Sequence, residues 1–402
     1  MHKDVDAPPM TPSTPFESTV RVAVIGFGAR AAIAEHVAVA REGARVVAIV
    51  DPDADGRHRA ERAYPDATLY SDLDELVAAG GVDAAIVTTP DFTHEAIAVT
   101  LLNAGIAVYL EKPLAITLEG ADRVLTAAAE SGTVLYVGHN FRHSGVVKAM
   151  REVIERGDIG EVKAVWVRHF VGNGGDYYFK DWHADRSKTN TLLLQKASHD
   201  IDVVHYLASG YTRRVVGMGD LMIYGDVTDR RDRRGETMPD WFSFDNWPPA
   251  SQTGLNPVID VEDVSMMMMT LDNGVMASYQ QCHFTPDYWR NYTVIGTEGR
   301  LENVGDTAGG VVKVWNRRHE WQVEGDAEYP IKGAASGHED ADLLTMTEFF
   351  ALLLDGTPTV VSPIAAREAV AAGALAAESL RTGSVPLTVP ELPAHVAQYF
   401  SA

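Results

Sequence analysis

From Val20 onward, short runs of apolar and β-branched residues alternate with segments whose apolar residues recur at helical spacing. VRVAVIG, RVVAIVD, a short run near Leu69, DAAIVTTP, AVYLEKP and TVLYVGHN read as strands. Between them AAIAEHVAVARE, a polar stretch through Glu61, SDLDELVAAG with Ser71 as a cap, and THEAIAVTLLNAG ended by Gly105 read as helices. Strands that are apolar along their whole length are buried on both faces. This order therefore predicts a doubly wound parallel sheet of six strands, with ligand loops at the C-terminal strand ends.

The pattern changes after Asn140. A helix from about Val146 to Arg156 leads into VKAVWVRHF, RRVVGMGDLMIY, VSMMMMTL, VMASYQQCHF and YTVIG, which alternate or carry tight turns such as Asp272-Asn273-Gly274. This half reads as antiparallel. Successive residues of Met266–Met269 point to opposite faces, so ordinary packing accounts for them better than a soft metal site. From Asp226 to Asp260 prolines and mixed charge interrupt the sheet pattern. The length of that stretch and the aromatics of WFSFDNW indicate a functional or interface loop, with a disordered insert as the alternative. AAREAVAAGALAAESLRTG is a final amphipathic helix.

A chain of 402 residues is too long for one core, so two domains are expected: 20–140, and 141–402 with a helix near 363–382 able to pack back on the first. Residues 1–19 are rich in Pro, Thr and Asp, lack the apolar stretch of a signal peptide and read as a disordered tail. The 56 acidic residues against 34 basic ones leave a charge of −22, which repels phosphate backbones and anionic lipid and so argues against nucleic-acid or membrane partners. Arg21, Arg30, Glu35 and His36 interrupt the first apolar segment, which therefore does not read as a membrane span. With Cys282 alone, no intrachain disulfide or cysteine-based metal site can form, in keeping with a reducing cytoplasm.

Four stretches carry candidate chemistry. Gly26, Phe27, Gly28, Ala29, Arg30 and Ala31 form a GxGxxA turn between a strand and a helix, where glycines allow close backbone approach and the helix start favours a pyrophosphate. Asp51 closes the second strand, where a carboxylate accepts hydrogen bonds from ribose hydroxyls and repels a 2′-phosphate. NAD is thus favoured, and the nearby Arg57 and Arg59 keep NADP open. Glu111, Lys112 and Pro113 follow the fifth strand, so Lys112 stands at the sheet edge where a nicotinamide would lie and can polarise a hydroxyl or relay its proton. In LLLQKASHDIDVVHYLASG, a helix starting near Leu194 puts Gln195 and His199 on one face, as it does Lys196 and Asp200. The His199 imidazole can accept an alcohol proton near neutral pH. In GNGGDYYFKDWHAD, the residues Tyr177, Tyr178, Trp182 and His183 offer flat faces with polar tips of the kind on which sugars stack. The pairs His139/His143 and His199/His205 have no recognisable third ligand, and His94 begins no HExxH because residue 98 is alanine, so no metal is expected.

GFGARA, TTPDFTH, AGIAVYLEKPLA and SHDID, in this order, make the chain resemble the glucose-fructose oxidoreductase and inositol dehydrogenase family, Gfo/Idh/MocA, over nearly everything after the tail. The resemblance implies an α/β fold: a Rossmann domain, then an α/β domain with an open, mostly antiparallel sheet whose outer face forms a homodimer or homotetramer contact. It implies hydride transfer between NAD(P) and a carbinol carbon of a sugar, cyclitol or glycoside. The alternatives it leaves are a redox-neutral NAD-dependent glycosidase working through a transient keto-sugar, and a noncatalytic NAD-binding regulator. The family's lysine falls on Lys112, and a cis bond to Pro113 would aim it into the cleft. The family's cofactor contacts after the fourth strand fall on Thr88, Thr89, Pro90 and His94, and its cleft-lining positions on Asn140 and Arg142. Its D-x-G-x-H-x-x-D motif falls on Gln195, Ala197, His199 and Asp202, with glutamine replacing the first aspartate. A carboxylate there would raise the pKa of His199, whereas an amide can only orient it or bind a substrate hydroxyl.

Overall fold

The computed structural model describes residues 19–233, 235–333 and 339–401, so nearly all of the tail expected over 1–19 lies outside the described residues. Strands β1 (Arg21–Ile25), β2 (Arg45–Val50), β3 (Thr68–Tyr70), β4 (Ala84–Val87), β5 (Ala107–Leu110) and β6 (Leu135–Val137) form a parallel sheet of order β3-β2-β1-β4-β5-β6. The order reverses between β1 and β4, which opens a crevice at their C-terminal ends.

Both faces of this sheet are covered, as its unbroken apolar strands require. Ile25, Val87 and Leu110 pack with Leu101, Val124 and Leu125 on one face. On the other, Val24, Ile86 and Tyr109 pack with Met346, Phe349 and Phe350. Those last three belong to the helix Glu339–Asp355, so the far end of the chain completes the first core. The segment after the glycine turn is not one α-helix: Ala29–His36 is wound as 3₁₀ and Val37–Ala40 as a single α turn.

The second sheet comprises β7 (Val162–Phe170), β8 (Thr212–Asp220), β9 (Val264–Leu271), β10 (Met276–Cys282), β11 (Trp289–Gly296), β12 (Arg300–Val304), β13 (Val311–Trp315), β14 (Ala327–Pro330) and β15 (Leu387–Thr388). Its order is β14-β13-β12-β11-β7-β10-β9-β8-β15, and β7 with β10 is the parallel pair in an otherwise antiparallel sheet. Alternation along β9 buries Met267 and Met269 and turns Met266 and Met268 outward. The inner face packs on the helices Gly145–Glu155, Ser198–Ala208 and Pro363–Arg381.

The helix Pro363–Arg381 joins the two sheets. Its Ala366 and Val370 enter the first core, and its Ala369, Ala372 and Ala376 the second. Gly373 makes this possible, because a Cβ there would lie 2.6 Å from the Leu193 carbonyl oxygen. The sequence Leu192–Gln195 is thereby pressed against the helix, which sets the position of Gln195. The stretch expected to be a functional or interface loop is tied down at both levels. At its flanks the Asp263 carboxylate accepts the backbone N–H groups of Met222, Ile223 and Tyr224, and within it Trp241 Nε1 donates to the Asp176 carbonyl at 2.8 Å. Among the described residues no helix is long and apolar enough to cross a membrane.

Candidate active site

The loops after β1, β4 and β5 face the segment Tyr177–His199, and part of the 226–260 insertion, across one cleft of about 1000 Å³. At the nucleotide end, Gly28, Ala29 and Arg30 form the wall, and a Cβ on Gly28 would meet nothing within 4 Å. That open backbone is a cradle into which a pyrophosphate fits. Gly26 lies below it, with φ of +86°, and a Cβ there would come 2.7 Å from Thr89 Cγ2. Gly26→Ala is therefore expected to add about 1–2 kcal/mol of backbone strain and to displace Thr89; titration with NAD should give a weaker Kd than the parent.

Several residues expected at the cofactor form the floor of this loop and do not reach the cleft wall. Asp51 accepts the Phe27 N–H at 2.7 Å and the Asp53 N–H at 2.8 Å, one on each carboxylate oxygen, so its first task is to brace the glycine turn. Thr88 Oγ1 donates to the Gly26 carbonyl at 2.7 Å. The His94 ring nitrogens lie 2.7 Å from the Pro113 carbonyl oxygen and 2.9 Å from that of Thr89, tying the loop after β4 to the loop after β5. Thr89, Pro90, Glu111 and Lys112 do face the cleft. Arg30 donates to Glu111 at 2.7 Å and grips Asp342 with two bonds of 2.6 and 2.8 Å, and Asn140 Nδ2 reaches the same carboxylate at 2.7 Å. One acidic residue of the helix Glu339–Asp355 thus joins two predicted wall residues, Arg30 and Asn140, and Arg30 in turn holds Glu111.

At the reactive end the Lys112-Pro113 bond is cis, and Lys112 Nζ donates to the backbone carbonyl of Gln195 at 3.0 Å. That carbonyl, to which Ser198 Oγ also donates at 3.3 Å, lies where the expected continuous helix is interrupted. The N–H groups of Lys196 and Ala197 both turn back to Leu192, and a new helix begins at Ser198. Gln195 and His199 still share the cleft, each on its own helical segment. The Gln195 Oε1 atom is buried with no partner among the described residues, poised for a hydroxyl donor. Burial pushes the Lys112 ammonium pKa down, opposed by the negative charges of Asp91 and Glu111.

Arg142 does not line the cleft. Its guanidinium is spent on two 2.7 Å bonds to Asp202 and one of 2.6 Å to the Val360 carbonyl, so its expected substrate contact is replaced by a structural one. Tyr178, Trp182 and His183 do line it. The rings of Trp182 and His183 stack at 3.7 Å, and the His183 Nδ1 is held by Asp181 in a short contact. Among the described residues no group of His, Cys, Asp or Glu side chains is arranged to hold a metal ion.

Sequence reasoning missed four cleft residues. Asp91 is a buried carboxylate whose pKa is raised by burial, against the pull of His94, Lys112 and His183. Its signal was available: an acid between Pro90 and a helix start, at a C-terminal strand edge. Lys196 sat beside Gln195 but was read only for its helix face. Tyr288 immediately precedes β11 and Arg290 stands at its start, where Arg290 lies over the Phe141 ring at 4.2 Å with Asp200 at 3.2 Å. Of these two, Arg290 had a local clue, an arginine set among strand residues that are otherwise neutral.

A parallel nucleotide sheet, a glycine cradle and a lysine on a cis-proline loop, facing a histidine from a second α/β unit, define a dinucleotide-dependent oxidoreductase scaffold. Residues 20–139 match the oxidoreductase family with an NAD-binding Rossmann fold, and residues 147–302 match the GFO/IDH/MocA C-terminal domain. The chain belongs to the Gfo/Idh/MocA family. Inositol 2-dehydrogenase of Klebsiella pneumoniae is 34% identical over 203 residues, which are 49% of this chain and 57% of that protein. The 2,7-anhydro-N-acetylneuraminate hydratase of Mediterraneibacter gnavus is 29% identical over 246 residues, 57% of this chain and 63% of its own length. The chain thus spans about three-fifths of the length of such curated relatives. A levoglucosan dehydrogenase solved with NADH and levoglucosan shares the fold with a TM-score of 0.75 at 18% identity, over 93% of this chain and 100% of that one.

Proposed function

We propose that the protein transfers hydride between NAD(P) and a secondary carbinol carbon of a sugar, cyclitol or glycoside. The observation that carries this reading is that Gly28–Arg30, Thr89–Pro90 and Lys112 on one side and His199 on the other line the same cleft. In this reading residues 20–140 bind the cofactor, and 141–402 bind substrate and make the subunit contact. When bound there, the nicotinamide supplies the hydride acceptor. His199 takes the hydroxyl proton, Lys112 polarises the same oxygen, and Gln195 orients a neighbouring hydroxyl through its amide. Asn140, Tyr178, Trp182 and His183 shape the sugar end. The levoglucosan and inositol dehydrogenases among its relatives support this substrate class.

The carboxylate of Asp51 disfavours a 2′-phosphate, so NAD should bind more tightly than NADP; equal affinities by titration would contradict this role for Asp51. Trp166, Met218, Met266, Met268 and Met276 are exposed on the outer face of the second sheet, which supports a homodimer or homotetramer formed through it. The lone cysteine fits a cytoplasmic setting. The test is turnover: NAD with a panel of sugars and cyclitols should yield reduced cofactor, and NAD binding without reduction of any of them would argue for a regulator.

A further inference from the structure

We propose that the substrate is an acidic sugar whose carboxylate pairs with the Lys196 ammonium, an inference that rests on the oxidoreductase reading above. The positive side chains of the cleft are otherwise matched. Arg30 pairs with Glu111 and Asp342, Lys180 with Asp176, Lys188 with Asp185, Arg233 with Glu236, and Arg290 with Asp200. Lys112 donates to a carbonyl. Lys196 alone among these has neither a hydrogen bond nor an ion pair among the described residues, and its Nζ sits 5.7 Å from the centre of the Tyr178 ring.

A half-buried ammonium that lines the cleft without an anionic partner is completed best by an anionic ligand group. Its neighbour Gln195 is neutral where the family pattern has an aspartate, so no side-chain carboxylate stands at that position to fill the role. One unmatched positive charge matches a monoanion, which favours a carboxylate over a phosphate ester. Lys196 also neighbours Lys112 and Arg290 closely enough to feel both charges. The acid group is thereby set near the reacting hydroxyl, as in a uronate.

Burial, Arg290 and Lys112 push the Lys196 pKa down to about 7, with Asp200 and Asp306 opposing. His169 and His283 also face it, and both are themselves driven toward the neutral form by burial. An incoming carboxylate would favour the charged lysine, so binding at a pH above 7 should draw in a proton.

The test compares glucose with glucuronate, galactose with galacturonate, and glucose 6-phosphate, in the parent, Lys196→Met and Lys196→Arg proteins with NAD. The uronates should exceed the aldoses in kcat/KM. Lys196→Met should cut the acid-to-neutral ratio by roughly 10- to 100-fold, and Lys196→Arg should restore part of it. In parallel, calorimetric titration of glucuronate and galacturonate into the NADH complex near pH 8, in buffers of different ionisation enthalpy, should show proton uptake in the parent and none in Lys196→Met. Equal use of acid and neutral sugars, preference for the phosphate ester, or absence of uronate binding overturns the proposal. Uronate binding with proton uptake but no reduction of NAD overturns only the oxidoreductase reading. Turnover of neutral sugars without acid preference overturns only the carboxylate subsite.

Discussion

Lys112→Met is expected to lower turnover by roughly 10²–10⁴-fold while weakening NAD binding far less. The lysine stands on the loop after β5, and its ammonium reaches the Gln195 carbonyl at 3.0 Å across the cleft from the cofactor cradle. Removing it takes away the group that polarises the substrate oxygen, and the glycine turn and its Asp51 brace stay in place. Burial already favours the neutral form of Lys112, and Asp91 and Glu111 oppose it. The loss should therefore appear in kcat more than in KM. Steady-state kinetics paired with NAD titration checks this, and full turnover in the variant would remove Lys112 from the chemistry.

Arg142→Met is expected to destabilise the fold by about 3–5 kcal/mol, because it strands a buried carboxylate. Asp202 is almost wholly buried. Burial works against its charged form, yet the Arg142 guanidinium, with two 2.7 Å bonds, holds its pKa below the usual carboxylate range. A depressed carboxylate pKa contributes stability that is complete above the unfolded value, about 4, and lost as pH falls through the folded value. The gap between parent and variant in denaturant melts should thus be full at neutral pH and narrow in acid. An unchanged melt with a raised substrate KM would instead return Arg142 to the substrate.

These two residues also mark what could be read from the chain alone. The parallel sheet, the glycine turn and the Lys112-Pro113 edge were legible because each rests on local chemistry: fully apolar strands, a backbone position needing positive φ, and a residue at a strand terminus. Arg142 and Arg290 could not be told apart, since pairing with Asp202 in one case and exposure to the cleft in the other depend on residues distant in sequence. The contribution of the helix Glu339–Asp355 to the first core was hidden for the same reason. So was its Asp342, which joins Arg30 and Asn140. The break after Gln195 follows the close approach of Leu193 and Leu194 to Gly373, a residue distant in sequence, and no breaking residue in the local sequence announces it.

Net hydride transfer by this protein is reached most directly by an isotopic measurement. Sugars and cyclitols carrying deuterium on the carbinol carbon would be incubated with the protein and NAD, and the reduced cofactor and organic product analysed by mass. Reduced cofactor bearing the deuterium is expected in equal amount to a keto product. Release of an aglycone with no net reduced cofactor would contradict net hydride transfer and favour the redox-neutral glycosidase chemistry.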